Sequence, residues 1–541
     1  MGPAHSKAGR PRRESQATYW IRRLVVASVL TVLIVSAIDV AVSPSKHAVG
    51  EPTPLASTSS TSSLPLVATP IAAENAKPGD AAWAPPGQAK VWAKVRGFAD
   101  HVSAQRGDTV GLYVTTAAPT FHVVAYRMGW YGGTQARLVW QSAEVPGTAQ
   151  PTPTTDSVTG MRDASGWRRS LEVAIGPEWV PGVYMLKLVS SDGGQSLVPL
   201  TVRDDTSHAA ILVQSSVTTW QAYNTFGGAS LYTDTHGQAS GRSEVVTFDR
   251  PYDGGGSGEY FGREDHMIQQ MESLGLDVTY TTDIDTNAHP ELLLNHKVFV
   301  SSAHDEYWSL AMRNGVEAAR DRGVNLLFMG ANAAFRRIRL ESSRLGPARH
   351  EVNYRIASKD PLNGIDPEEV TTSWRQAPGA RPESSMIGDY YECNPVAADM
   401  KIVDPGFFLL DGTGVGPHTT WPHVVGNEYD RVTPEAPTPQ NIHVIAHSPV
   451  SCHGVKSFAD MTYYTAPSGA GVLATGTFWL EPHMGHLCPY PATDKTDCQI
   501  RDFLTNVVTT FAAGPVGLTH PSVNNLASFG IRAGYIHPVP P

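Results

Sequence analysis

From about residue 205 the sequence alternates between short apolar runs and helix-length segments, and this alternation restricts the possible folds more than any other feature. The helix-length segments 263–274 and 308–322 each stop before a glycine, Gly275 and Gly323, as helices commonly do. Strands that alternate with helices predict a mostly parallel sheet covered by helices. We therefore expect an α/β domain over 205–515, with strands at 209–213, 277–281, 297–302, 324–329, 442–446 and 471–475 and a last helix at 502–511.

Residues 77–204 show a different pattern. Short alternating apolar runs recur between turn residues, and no long helical period is present. Many short strands with Gly and Pro turns predict a β-sandwich of roughly immunoglobulin size. The runs lie at 109–114, 121–126, 170–175, 182–189 and 197–202.

The N-terminal region has the composition of a targeting element. Residues 1–23 are basic and precede an apolar run, so we expect them in the cytoplasm, with a transmembrane anchor or a signal peptide over 24–43. Residues 44–76 are rich in Ser, Thr, Pro and Ala and predict a disordered stalk. These segments predict a single-pass cell-membrane protein with its C-terminal domains outside, or alternatively a protein secreted after signal cleavage. Residues 516–541 are expected to form a C-terminal tail.

The chain contains four cysteines, all in its C-terminal half. An even number of cysteines in an exported protein suggests two disulfides. Cys488 with Cys498 would close a short loop, which leaves Cys393 with Cys452.

Size and charge limit the class of protein. At 541 residues the chain exceeds what one hydrophobic core normally serves, so two or more domains are expected. The net charge of -10 is spread along the sequence, so no basic patch favours nucleic acid as a partner.

Polar residues follow four of the expected strands. In an open parallel sheet, ligands bind beyond the carboxyl ends of the strands. The segments after these strands supply amides, a histidine, a tyrosine and several acids: 218–224, Asp283 and Asp285, His304-Asp305-Glu306, and Gly330-Ala331-Asn332. The sequence therefore predicts a functional site at this edge of the sheet.

Several of these segments resemble, in order, motifs of the N,N-dimethylformamidase large-subunit family. The likeness covers about residues 77–515 and extends to the first domain. The motifs are Tyr126-Arg127-Met128-Gly129-Trp130-Tyr131-Gly132-Gly133, Trp179-Val180-Pro181-Gly182-Val183-Tyr184, Thr219-Trp220-Gln221-Ala222-Tyr223-Asn224, Asp249-Arg250-Pro251-Tyr252, His304-Asp305-Glu306-Tyr307-Trp308 and Gly330-Ala331-Asn332.

The resemblance implies a mononuclear iron, held by two tyrosines and one glutamate, that hydrolyses the C–N bond of a small linear amide. It assigns Glu306 and Tyr223 as ligands, and Tyr252 as the second tyrosine. Tyrosinate and carboxylate are hard oxygen donors that suit ferric iron.

Three further residues match positions around the family's iron. His304 or Glu428 would move a proton to the departing amine, and Asn332 would donate a hydrogen bond to the developing oxyanion. The family amidase works inside the cell beside a small partner subunit, whereas this chain carries an export segment. The expected substrate is therefore a small amide other than dimethylformamide.

Other interpretations of the same residues remain open. Glu306 could cap a helix beginning near Trp308, and the tyrosines could be packed rings. The whole protein could instead be a non-catalytic cell-surface binding protein for a wall glycan or a protein. In either case the expected fold class is multidomain α+β: an immunoglobulin-like β-sandwich followed by a three-layer α/β domain of the glutamine-amidotransferase-like type.

Overall fold

The computed structural model describes residues 69–84, 87, 89–234, 236–480, 483 and 495–535. The described residues lie in one compact unit, Leu66–Pro541. They form a mixed α+β protein with several sheets and more strand than helix. The predicted basic segment 1–23, the predicted span 24–43 and most of the predicted stalk lie outside the described residues.

The end of the predicted stalk is folded. Residues Pro70–Asn75 form a helix, and the Thr69 hydroxyl accepts a hydrogen bond from the backbone N–H of Ala72 at 3.0 Å. Ile71 is buried, and the Glu74 carboxylate lies 2.6 Å from Arg137. This segment therefore has its own contacts with the folded protein, which composition alone did not reveal.

The N-terminal part contains two sheets that share an apolar core. Val110 and Leu112 of one sheet and Val123 and Leu186 of the other are fully buried in the same cluster. The predicted strands are therefore present, whereas the immunoglobulin-like assignment stays a prediction. In spatial order, one sheet contains Val95–Ala99, Thr109–Thr116 and Leu171–Ala174, and the other contains Ser103–Gln105, Gln195–Arg203, Gly182–Ser190, Thr120–Met128 and Ala136–Gln141, with Val145–Pro146 also paired to Thr120–Met128.

The rest of the chain is organised on a seven-stranded sheet, here called the large sheet. Its first five strands pair in parallel and its last two pairings are antiparallel, so six of the seven strands run in one direction and the predicted mostly parallel sheet is present. The spatial order is Val278–Thr282, Ile211–Ser215, Val298–Ala303, Asn325–Gly330, Gly471–Ala474, Val455–Thr465 and His443–Cys452.

Helices cover both faces of the large sheet. Val298 and Val300 contribute to one apolar core, and the intervening Phe299 contributes to the other, because successive strand residues point to opposite faces. The described helices are Pro70–Asn75, Ala89–Trp92, Val217–Tyr223, Asp265–Ser273, Asp283–Ala288, Leu310–Arg320, Ser384–Ile387, Lys495–Ala512 and Leu526–Phe529. The finer glutamine-amidotransferase-like assignment stays a prediction.

Further strands lie beside the large sheet and were not expected from the sequence. One sheet contains Val245–Thr247, Gly346–Val352, Arg336–Ser343 and Tyr307–Ser309 in that order, with Thr372–Ser373 paired to Arg336–Ser343. Three two-strand pairs complete the described sheets: Tyr390–Lys401 with Thr420–Arg431, Pro437–Thr438 with Gly534–Tyr535, and Thr154–Thr155 with Arg162–Asp163. Part of the predicted tail is thus paired to the fold.

The predicted single-pass membrane location is wrong. Among the residues that the structure describes, no helix has both the length and the apolar character needed to cross a membrane. The 18-residue helix Lys495–Ala512 is long, but it is amphipathic and carries Asp497, Arg501 and Asp502. The segment 24–43, on which the prediction was based, lies outside the described residues.

One of the two predicted disulfides is confirmed. Cys393 and Cys452 are bonded, with their Cα atoms 6.3 Å apart. The second predicted pair includes Cys488, which lies outside the described residues and leaves that pair a prediction.

A buried ion pair links the N-terminal sheets to the rest of the protein. Arg127 Nη2 lies 2.6 Å from Glu272 Oε1, and both side chains are fully buried. The hydroxyl of Tyr280 donates a further hydrogen bond to the same carboxylate at 2.5 Å. The predicted domain boundary near residue 204 is therefore crossed by a desolvated charge pair.

Candidate metal centre

Glu306 lies just beyond the carboxyl end of the large-sheet strand Val298–Ala303. Its backbone N–H donates to the Thr219 hydroxyl at 2.9 Å, and its carbonyl accepts from the backbone N–H of Arg336 at 2.8 Å. The side chain is buried with 2% exposed. The next helix begins at Leu310 and is capped by Ser309, so Glu306 does not cap it.

Two tyrosines meet the Glu306 carboxylate. The Tyr223 hydroxyl donates to Glu306 Oε2 at 3.1 Å, and the Tyr232 hydroxyl donates a shorter hydrogen bond to the same oxygen. Both rings are half-buried and stack with their centroids 4.2 Å apart. Two phenol oxygens and one carboxylate oxygen thus converge on one point.

The helix that ends in Tyr223 is anchored at its start by a buried acid. Asp283 accepts hydrogen bonds from the backbone N–H of Val217 at 2.9 Å and of Thr218 at 3.2 Å. These are N–H groups of the first helical turn, which have no partner within the helix. The predicted strand-end acid Asp283 therefore positions Tyr223 indirectly.

The loop that carries Tyr232 is held by Arg250. The buried guanidinium donates to the backbone carbonyls of Asn224, Phe226 and Ala229 at 2.8–2.9 Å. Arg250, in the motif Asp249-Arg250-Pro251, thus fixes the loop between Tyr223 and Tyr232. This loop reverses the chain direction and places the Tyr232 ring over the Tyr223 ring.

Tyr252 lies elsewhere, although the family resemblance assigned it as the second metal ligand. Its ring packs edge-on against Trp220 with centroids 6.4 Å apart and lines a small cavity of about 30 Å³ together with Val183 and Leu200. The structure therefore replaces Tyr252 with Tyr232 in the candidate ligand set. Sequence reasoning missed Tyr232 because its loop has no periodic pattern. The sequence signal for its position was Gly227-Gly228, whose positive φ angles allow a turn that brings the chain back toward Tyr223.

His304 lies among three acids. Its Nε2 is 3.3 Å from Glu306 Oε2 and 4.0 Å from Glu428 Oε2, and its Nδ1 is 4.0 Å from Glu259 Oε2. The side chain of Asn394 donates to Glu428 Oε1 at 2.8 Å. Glu428, which the resemblance matched to an acid of the family, thus lies beside His304.

Asn332 follows the neighbouring strand Asn325–Gly330. Its backbone has φ 57, a left-handed conformation that costs about 1 kcal/mol or more for a non-glycine residue. The backbone N–H donates to both Asp430 oxygens at 3.0 and 3.1 Å, and the side chain lies close enough to Glu428 to lower the pKa of that acid. The structure therefore brings Tyr223, His304, Glu306, Asn332 and Glu428 into one site.

The charges of this site depend on burial and on His304. Burial would raise the pKa of Glu306, but the His304 ring, whose Nε2 lies 3.3 Å from Oε2, and the charge of Arg336 lower that pKa to about 2. Burial would lower the pKa of His304, yet Glu306 and Glu428 raise it. Burial and the repulsion of Glu306 raise the pKa of Glu428. Glu306 is therefore ionised at neutral pH.

Both phenols remain protonated donors to Glu306 at neutral pH. Burial, followed by the Glu306 charge, raises the pKa values of Tyr223 and Tyr232. A multivalent cation bound between the two hydroxyls would lower these pKa values, because it favours the tyrosinate form.

The donor set fits a hard metal ion. Its three converging oxygens belong to groups that suit ferric iron. His304 Nε2 and Glu428 Oε2 are buried beside them without a hydrogen-bond partner, which is unusual for buried polar atoms. Among the described residues, a second group with metal-binding side chains is Cys393, Cys452 and His453, but its two sulfurs form the disulfide and are not thiolates.

Other strand-end acids have structural partners. Asp305 accepts hydrogen bonds from Gln214, Ser301 and Trp308 at 2.8–2.9 Å. Asp285 forms a capping box with Thr282 at the start of Asp283–Ala288. These residues shape the sheet edge and do not extend the oxygen cluster.

A family model described as N,N-dimethylformamidase beta subunit-like, C-terminal, matches residues 122–490. No curated protein matches the chain. Among solved structures, murine CEACAM1b is 13% identical to this chain, with a TM-score of 0.12. The match covers 22% of this chain and 62% of murine CEACAM1b. A cycloisomaltooligosaccharide glucanotransferase from Paenibacillus sp., complexed with cycloisomaltoheptaose, is 8% identical with a TM-score of 0.16, covering 70% of this chain and 68% of that one. At these TM-scores neither likeness bears on the fold.

Proposed function

The chain belongs to the N,N-dimethylformamidase beta subunit-like family, and on that premise we propose that it hydrolyses the C–N bond of a small linear amide. The proposed centre is a mononuclear iron held by Tyr223, Tyr232 and Glu306. The observation that carries the proposal is the convergence of two phenol oxygens on one oxygen of an ionised, buried carboxylate.

Each neighbouring side chain has a place in such a reaction. A bound iron would supply Lewis acidity, which lowers the pKa of water and polarises an amide carbonyl. Asn332 would donate a hydrogen bond to the oxygen that gains charge as the carbonyl carbon becomes tetrahedral. Water first forms the C–O bond to the carbonyl carbon, the C–N bond of the tetrahedral species then breaks, and His304, paired with Glu428, would deliver the proton that the amine nitrogen needs.

The finer fold assignments belong to the same proposal. The two N-terminal sheets with a shared core support an immunoglobulin-like sandwich. The large sheet, with helices on both faces and the oxygen cluster beyond its strand ends, supports a three-layer domain of the glutamine-amidotransferase-like type.

Metal analysis with one matched pair of variants tests the proposal. The purified full chain should contain iron and release amine from small linear amides. Glu306→Gln should lose both properties, because it removes the anionic ligand. Glu341→Gln, at a side chain that is 47% exposed in a neighbouring sheet, should keep both. Wild-type protein that binds no iron and releases no amine would contradict the proposal and favour a non-catalytic binding protein.

A further inference from the structure

We propose that Arg355 and Arg336 form an anion-binding site beside the candidate iron centre, so that the amide substrate carries a carboxylate. The inference rests on the proposed function and narrows its substrate class.

Arg355 is held over the Tyr232 ring by its backbone. Its φ is 60, which is uncommon for a bulky residue, and its carbonyl accepts a hydrogen bond from the Thr372 hydroxyl at 2.9 Å. The guanidinium carbon lies 4.1 Å from the Tyr232 ring centroid, a cation–π distance. A strained backbone therefore fixes a cation at the wall of the site.

The donors of Arg355 are largely unused. Nη2 donates to the Tyr307 hydroxyl at 3.1 Å, and Nε is buried without a hydrogen-bond partner. A guanidinium has five N–H donors, so most of its capacity remains for a ligand. By contrast, Arg349 donates to the Asp249 carboxylate and to two backbone carbonyls.

Arg336 brings a second cation to the same wall. Its Nε lies 3.3 Å from Glu306 Oε1 but forms no hydrogen bond, and its side chain is 18% exposed. The backbone N–H of Arg336 donates to the Glu306 carbonyl, which fixes the start of the strand Arg336–Ser343 beside the centre. Two guanidinium groups thus flank the Tyr232–Glu306 pair.

Positive and negative side chains lie on opposite sides of the candidate centre. The two arginines lie on the Tyr232 side, whereas Glu428 and Glu259 lie on the His304 side, each 4.0 Å from a ring nitrogen. A carboxylate fits the arginine side, because the guanidinium fork matches its two oxygens. A departing amine that takes up a proton fits the acidic side.

This layout specifies a substrate whose acyl part carries the carboxylate. Hydrolysis then consumes one water, breaks the amide C–N bond and forms a C–O bond. The products are a dicarboxylate and an amine that has gained the proton.

The test compares N-methylsuccinamate with the isosteric amide in which an isopropyl group replaces the carboxylate. For iron-loaded wild type, kcat/KM should be at least about 10-fold higher for the anionic amide. Arg355→Met should remove that preference, mainly through a higher KM for the anionic amide. Arg355→Lys should keep part of the preference, which excludes a mere folding defect. Arg322→Met, at an exposed and distant arginine, should match wild type.

Succinate binding separates this inference from the proposed function. By calorimetry, wild type and Arg322→Met should bind succinate, and Arg355→Met should bind it at least about 10-fold more weakly. Equal turnover of both amides, or equal succinate affinity in wild type and Arg355→Met, would overturn the anion site. If no amide is hydrolysed, the proposed function fails, and the succinate result alone decides whether the anion site exists.

Discussion

The rings of Tyr223 and Tyr232 stack 4.2 Å apart, and both hydroxyls donate to the same oxygen of Glu306. One tyrosine ends a helix anchored by Asp283, and the other lies in a loop held by Arg250. Two separately supported segments therefore bring their oxygens to a single carboxylate, which is the arrangement that a metal ligand set needs.

Replacing Tyr232 should weaken iron binding more than replacing Tyr252. Tyr232→Phe removes one phenol oxygen from the cluster but keeps the stacked ring, so iron affinity should fall about 100-fold or more. The readouts are iron content and the visible absorption that ferric tyrosinate produces.

Tyr252→Phe is the matched control, because this tyrosine packs against Trp220 and not at Glu306. It should keep the iron and the visible band of wild type. Loss of iron in Tyr252→Phe with retention in Tyr232→Phe would restore the assignment made from the sequence.

The strands of the large sheet could be predicted because local pattern specifies them. The runs 209–213, 277–281, 297–302 and 324–329 lie in or beside strands Ile211–Ser215, Val278–Thr282, Val298–Ala303 and Asn325–Gly330. Parallel strands end at one edge, so this pattern also located Glu306, His304 and Asn332.

The rest of the site depends on contacts between distant residues, which no local period reports. Tyr232 is placed by hydrogen bonds from Arg250 to loop carbonyls, and Arg355 by a left-handed backbone after an unexpected strand. The motif around Arg250 was visible in the sequence, but its effect on the position of Tyr232 was not.

Breaking the Arg127–Glu272 pair should destabilise the protein strongly. Arg127→Met leaves a fully buried carboxylate uncompensated, which should cost about 3–5 kcal/mol in the free energy of unfolding. Denaturant unfolding measures this change. Arg169→Met is the control; that arginine pairs with Glu172 at 2.8 Å with both side chains about half exposed, so the cost should be no more than about 1 kcal/mol. Similar losses in both variants would argue against the buried pair.

Glu264 should make stability fall as pH rises. Burial raises its pKa from 4.5 to about 8, despite the N–H that Ser216 donates to Oε1 at 2.9 Å. Between these pKa values the folded state holds a proton that the unfolded state releases, so stability present at low pH is lost as pH rises toward 8.

Glu264→Gln should remove this slope. Relative to wild type, the variant should gain about 1.4 kcal/mol for each pH unit across that window, measured by denaturant unfolding at several pH values. Glu291→Gln, at a side chain that is 66% exposed, should keep the slope of wild type. An unchanged slope in Glu264→Gln would show that another group causes it.

Removing the Cys393–Cys452 disulfide should affect both stability and the site. The bond joins residues 59 positions apart. The double variant Cys393→Ser/Cys452→Ser, which lacks the bond, should lose about 2–5 kcal/mol in the free energy of unfolding. Asn394, next to Cys393, holds Glu428 at 2.8 Å, so freeing this strand should also slow amide hydrolysis. Asn394→Ala separates the two effects, because it should slow hydrolysis while the disulfide and most of the stability remain. A double-serine variant with wild-type turnover would show that the disulfide does not position Glu428.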